Sequence, residues 1–139
     1  MTPPAHWLVD KSALRPHVAA FADVLIPRIA AGRVAISLVT ELEVGFSARS
    51  TKHFERTRED VIGPLVTVGM PYRAEDRARE IQAELVARGQ QRAVGVPDLM
   101  VAAIADVEGL TVLHYDADFD MVAAITGQPT EWVVAPGTV

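Results

Sequence analysis

Acidic residues stand at the points of this sequence where an apolar run gives way to polar chain. Asp10 follows Trp7-Leu8-Val9, Glu41 and Glu43 follow Val34 to Ser37, Asp98 opens the apolar run Leu99 to Val107, and Asp116 follows Leu110 to His114. Taken singly, each is an ordinary helix cap or turn acid. Taken together they point to a shared site, because ligands of open α/β sheets collect at the carboxyl ends of the strands. Carboxylates crowded there repel one another, and some must stay protonated unless cations offset the charge. An all-oxygen donor set suits Mg²⁺, with Mn²⁺ as the near alternative, rather than zinc. The chemistry served by such a site is phosphodiester hydrolysis. Asp10 and Asp98 are the expected primary metal ligands, with Asp116 and one of the two glutamates completing the shell or orienting water. Asp118 and Asp120 are further candidates in the same turn, and Ser12 offers a hydroxyl beside Asp10.

The elements that must position these acids follow from periodicity. Trp7 to Val9 has the continuous apolar character of a central parallel strand covered on both faces. Pro16 to Ala31 carries a helical stripe of Val18, Phe21, Ala22, Leu25 and Ile29; Pro27 either kinks that helix or starts a second one. Val34 to Ser37 reads as a strand and Leu38 to Ser47 as a helix, on which Glu41 and Glu43 point in different directions, so only one faces the strand ends. Arg49 to Arg58 is the most basic stretch. It reads as a solvated connector, or as a phosphate-contacting rim through Arg49, Lys52 and Arg56. Leu65 to Val68 is a third strand. Tyr72 to Arg88 is the clearest helix, burying Ala74, Ala78, Ile81 and Leu85 and offering Glu75/Arg79 and Glu84/Arg88 as i,i+4 pairs. Pro97 starts a buried helix, Leu110 to His114 is a fourth strand, Met121 to Thr126 a short helix, and Glu131 to Val134 a fifth strand. Strands alternating with helices imply one α/β domain over residues 1–139, a three-layer α/β/α sandwich with a mainly parallel five-stranded sheet.

Composition narrows the function classes. Half of the 139 residues are hydrophobic, 22% are charged, and the net charge is -5. That balance argues against a domain that holds nucleic acid by a broad basic surface, though an acidic metal site accounts for part of it. With no cysteine there is no disulfide framework, thiolate nucleophile or thiolate zinc site. The N-terminus lacks a signal-peptide pattern and no run is long enough to span a membrane, so a cytoplasmic protein is expected. Esterase, P-loop and dinucleotide-binding signatures are absent.

In order and spacing, LVDKSAL (Leu8 to Leu14), TELEVGFSAR (Thr40 to Arg49), VPDLMVAAIA (Val96 to Ala105) and VLHYDADFDMVAAITG (Val112 to Gly127) resemble the PIN-domain ribonucleases, specifically the VapC toxins of bacterial toxin–antitoxin pairs. The resemblance implies a PIN-like fold and a metal-dependent endoribonuclease that hydrolyses RNA to slow translation. It implies Asp10, one Glu, Asp98 and Asp116 as the acidic site, Asp118 as a helper on the metal and Ser12 as a supporting hydroxyl. Alignment on L-E followed by S-A-R selects Glu43; alignment on E-L-x-x-G selects Glu41, which then falls to a supporting place. The longer match favours Glu43. Lys11 stands where many relatives carry Thr or Ser. The resemblance further implies a homodimer and a VapB-type antitoxin covering the groove. Receiver domains and paired-Asp phosphatases fit poorly, since the lysines are Lys11 and Lys52 and Ser12 stands where a second acid is needed. The remaining alternative is a PIN-like interaction module with a weak or inactive site.

Overall fold

The computed structural model of the chain describes residues 4–139. Five short strands form one parallel sheet: β1 (Trp7–Val9), β2 (Val34–Ser37), β3 (Val66–Val68), β4 (Thr111–His114) and β5 (Thr130–Trp132). Their order is β3-β2-β1-β4-β5. The chain therefore builds outward from β1 on one side, then crosses back and builds outward through β4 on the other. Register runs Leu8 opposite Ala35 and Val112, Val9 opposite Leu113, and Val112 opposite Thr130. Because every strand points the same way, all carboxyl ends share one edge, and the reversal of order between β1 and β4 opens a crevice there.

Two cores make three layers. On one face Leu8, Ala35 and Val112 pack with the helices α4 (Tyr72–Ala87), α5 (Val96–Glu108) and α6 (Asp118–Thr126), through residues such as Ile81, Leu85, Ile104, Phe119 and Val122. On the other, Val9, Val34, Ile36 and Leu113 meet Phe21 and Leu25 of α1 (Ala19–Ala30), with Ile62 and Leu65 beside them. Val101 to Ala105 of α5 are fully buried, as its nearly all-round apolar sequence requires. That helix stops at Gly109, whose φ of 69° favours a residue without a Cβ.

Four details depart from the expectations. The helix over Pro16 to Ala31 begins only at Ala19 and continues unbroken through Pro27; Leu14 to Val18 forms the turn that carries the chain off the sheet edge. The basic stretch is not a connector. It holds α3 (Thr51–Thr57), whose start is capped by Ser50 Oγ accepting the His53 N–H at 3.0 Å, and which runs into a π-helical turn over Arg58–Ile62. None of its residues is buried, so no apolar stripe announced it. Helix α3 approaches α2 (Leu38–Phe46) closely at Gly45, where an added Cβ would lie 3.1 Å from Phe54 Cε2 and the ring would have to shift. On α4, Glu84 pairs with Arg88 as expected at 3.1 Å, but Arg79 bonds Asp76 at 3.0 Å in place of Glu75. The shorter acid one turn back lies within the same reach.

Candidate active site

The crevice between β1 and β4 is a groove of about 860 Å³. Asp10 enters it directly from β1. Its backbone N–H donates to Leu113 O at 2.9 Å, extending the β1–β4 pairing by one residue, and its side chain is buried. Oδ2 of Asp10 accepts from the Ser12 hydroxyl at 2.6 Å and from the Ser12 N–H at 3.0 Å. Ser12 Oγ in turn accepts the Tyr115 N–H at 2.9 Å. The hydroxyl thus ties the end of β1 to the segment after β4. Asp10 Oδ1, by contrast, is buried with no hydrogen-bond partner.

Asp116 lies two residues past β4. Its N–H donates to Nδ1 of the buried His114 at 3.2 Å, and its Oδ1 accepts the Asp118 N–H at 2.9 Å. Asp98 sits in the first turn of α5, and Asp118 is the first residue of α6. Asp98, Asp116 and Asp118 each bring a carboxylate oxygen within 4.8 Å of the other two. Asp120 turns away, accepting from Trp132 Nε1 at 3.2 Å.

The two glutamates of α2 separate as helix geometry demands. Glu43 lines the groove, and its Oε1 is buried without a partner. Glu41 points out of it and pairs with Arg58 of the π-helical turn at 3.2 Å.

Mutual repulsion is legible in the protonation of the cluster. The Asp98 carboxyl is pushed up to about 7, first by burial and then by the charges of Asp10, Asp116, Asp118 and Glu43. Burial, then Asp10, raises Glu43 against the pull of Lys11. Burial, then Asp116, raises Asp118. His114 moves the other way, burial keeping its ring neutral. Five converging carboxylates, two buried oxygens with nothing to accept from, and no sulfur or free histidine among the donors fit a hard divalent cation. Asp118, a candidate on the metal from its motif, belongs to the closest group. Asp10 stands beside that group with one oxygen committed to Ser12.

Residues 8–125 match the family described as PIN domain. A protein named Ribonuclease VapC21 from Mycobacterium tuberculosis is 44% identical over 133 residues, which is 95% of this chain and 96% of that protein. One named Ribonuclease VapC2, from the same species, is 46% identical over 127 residues, 90% of each.

The chain belongs to the PIN-domain family, among the VapC ribonucleases.

Among solved structures, a chain of the DNA-bound VapBC complex of Salmonella typhimurium superposes with a TM-score of 0.76 at 22% identity, over 94% of this chain and 99% of that one. That likeness speaks to the fold, which it matches over nearly the whole chain.

This PIN domain carries basic residues both in the groove and on the surface beyond it. Arg49, Lys52 and Arg56 are exposed and do not line the groove. Lys11, Arg15, His17 and His53 do. Nothing periodic marks these four, because they come from an irregular turn and from a helix without a buried face.

Two consequences are measurable. Ser12→Ala removes the acceptor for the Tyr115 N–H and the hydroxyl that orients Asp10, and losing such an orienting partner typically costs ten- to a hundredfold. RNA cleavage by this variant is expected to fall about tenfold, with a lower melting temperature from the stranded amide; unchanged values of both would remove Ser12 from the site. Protonation also sets the pH dependence of the metal-free fold. Because Asp98 titrates near 7 when folded and near 3.8 when unfolded, the folded chain binds more protons between those values, and stability declines as pH rises through that window. Melting in EDTA should show this decline, and added Mg²⁺ should raise the melting temperature more at pH 8 than at pH 5. Equal effects at both pH values would mean that the cation does not meet these carboxylates.

Proposed function

We propose that this chain is the toxin of a toxin–antitoxin pair, an endoribonuclease that hydrolyses RNA phosphodiester bonds with Mg²⁺, or Mn²⁺ in its place, and so inhibits translation. The observation that carries the reading is the five-carboxylate cluster with its two buried, unpartnered oxygens, set at the switch point of the sheet. Relatives at 44% and 46% identity named as ribonucleases supply the reaction class.

Asp10, Asp98, Asp116 and Asp118 are the proposed metal ligands, and Asp10, Glu43, Asp98 and Asp116 the proposed catalytic set. When bound, a divalent cation would supply the charge that lowers the pKa of a water and offsets the charge gathering on the phosphate and the leaving 3′ oxygen. The chain's own residues do the rest. Ser12 holds Asp10 in one orientation. Glu43, half-buried with a free oxygen, stands ready to accept a proton from the attacking water. Glu41 has a supporting place, anchoring Arg58 against α2. Arg49, Lys52 and Arg56 form an outer rim that gathers phosphate loosely through solvent.

A VapB-type antitoxin is the proposed partner, since solved proteins of this fold include VapBC complexes. Homodimerisation is proposed as well. Leu38, Leu42 and Phe46 form an exposed apolar stripe on α2, with Phe46 92% exposed, and contiguous exposed apolar surface of this kind marks protein–protein contact. Among the described residues no helix is long and apolar enough to cross a membrane, and the proposed RNA substrate places the activity in the cytoplasm.

The test is cleavage of a mixed cellular RNA pool with added Mg²⁺ or Mn²⁺, with EDTA and Asp98→Asn protein as paired controls. Discrete fragments absent from both controls are expected. Cleavage that persists in the variant would refute the site, and folded, antitoxin-free protein that cuts nothing would leave the interaction-module alternative.

A further inference from the structure

Arg15 has an unusual setting. It is half-buried in the wall of the groove, and among the described residues its guanidinium has no hydrogen-bond or ion-pair partner. Aromatic faces hold it, at 5.5 Å from the Phe21 ring centre and 5.9 Å from that of Tyr115. Cation–π contact out to about 6 Å favours this seat without using the N–H donors of the guanidinium. Tyr115 is also the residue whose backbone N–H bonds Ser12 and, through it, Asp10. The ring that seats Arg15 is therefore built on the segment that sets the acidic cluster.

Two further N–H donors line the groove. His53 accepts the Arg49 N–H on Nδ1 at 3.0 Å, which leaves Nε2 as the donor of its neutral ring. Lys11 leans across to Ser47 of α2, Nζ to Oγ 2.5 Å. The groove is lined by two chemistries, carboxylates and cationic or N–H donors; among the described residues Arg15 has no partner, while Lys11 is shared with Ser47. Once the carboxylate charge is offset, what remains attracts an anion.

We propose that Arg15, with Lys11 and His53, forms a second phosphate subsite, which holds a backbone phosphate of single-stranded RNA flanking the one cleaved at the carboxylates. The inference rests on the ribonuclease reading and adds to it the form of the substrate and the residues that grip it. A phosphate matches the planar fork of Arg15, which can donate two parallel hydrogen bonds. A single strand is favoured because proteins most often read RNA through unpaired segments whose bases can be splayed and stacked, whereas A-form duplex is read by shape across a broad surface.

The experiment is equilibrium binding of a fluorescent single-stranded RNA of mixed sequence, in Mg²⁺ over a series of KCl concentrations, to protein silenced by Asp98→Asn. Adding Arg15→Gln is expected to weaken binding about tenfold, the loss of one charge-assisted contact. It should also flatten the slope of log K against log salt by about 0.7, the release expected for one single-strand phosphate. Arg15→Lys keeps the charge but not the fork, so it should preserve the slope and lose part of the affinity. Lys11→Gln, at an exposed position that tolerates change, should flatten the slope in the same way and stands in if Arg15→Gln does not fold. Arg79→Gln, on the exposed face of α4, controls for net charge and should leave both quantities unchanged.

Arg15→Gln and Lys11→Gln proteins that bind within twofold of the parent, with the same slope, would overturn the subsite, as would an equal loss with duplex RNA. Binding of an acidic antitoxin-derived peptide that depends on Arg15 while RNA binding does not would overturn it in favour of a protein partner. Because no cleavage is read, absence of nuclease activity in the parent chain would sink the ribonuclease reading without deciding the subsite, and cleavage with unaltered binding would do the reverse.

Discussion

Asp98→Asn is expected to lower metal-dependent RNA cleavage about a thousandfold and, in the same protein, to raise the melting temperature measured in EDTA. The two effects have one cause. Asp98 is half-buried and faces Asp10, Asp116, Asp118 and Glu43 at once, and burial first, then their repulsion, lifts its pKa to about 7. Above that pH the folded, metal-free chain carries a cluster of uncompensated charge. The neutral amide keeps the shape of the side chain and removes the central charge, so the fold relaxes. What the fold gains, the reaction loses. A group at the centre of an electrostatic site contributes several kcal/mol to the barrier, and a thousandfold corresponds to about 4 kcal/mol. The gain in melting temperature, a few degrees for a chain of this size, should be present at pH 8 and vanish near pH 4, where Asp98 is already protonated. A variant that lost both activity and stability would instead mark Asp98 as a structural cap of α5.

Glu43→Gln is expected to cut cleavage about a hundredfold, while Glu41→Gln leaves it within about threefold of the parent. A proton acceptor in the transition state typically contributes a hundredfold or more, and Glu43 has what such a group needs: a place in the groove, an oxygen with no competing donor and a raised pKa. Glu41 is committed to Arg58 at 3.2 Å in a partly exposed ion pair, the arginine side chain 48% and the glutamate 12% exposed. Pairs of that kind contribute ~1 kcal/mol or less to stability, so its loss should show only as a small shift in melting. Rates measured side by side at saturating Mg²⁺ decide the matter. Reversed magnitudes would move the reacting centre to the other face of α2.

Much of the frame was legible because parallel sheets have a simple grammar. Buried central strands read as short apolar runs, and Val34 to Ser37 could be bounded to the residue from that alone. Asp10 and Asp116 could be placed on one edge from polarity and order, since all parallel strands end on the same side. Harder to see was anything without a buried face. The helix Thr51–Thr57 rests on a serine cap and a close contact with Gly45 rather than on a stripe. The excess of lysine and arginine around it drew attention to Arg49, Lys52 and Arg56, whereas the groove took its basic wall from Lys11, Arg15, His17 and His53.

The division has a physical basis. By itself the sequence determined the strands, the helices with a buried face and their order, the carboxylates that follow the strands and, through the motifs around them, the PIN family. It also determined that Glu41 and Glu43 lie apart by roughly 200° of helix rotation and so cannot share a face. Which of them faces inward was decided by tertiary structure: Arg58, arriving from the π-helical turn, draws Glu41 outward, and the packing of α2 on the sheet turns Glu43 toward Asp10. Asp118 enters the closest carboxylate group, and Arg15 comes to rest on Phe21 and Tyr115, for the same reason. Contacts between residues far apart in the chain depend on how layers pack, and no local period in the sequence encodes that packing.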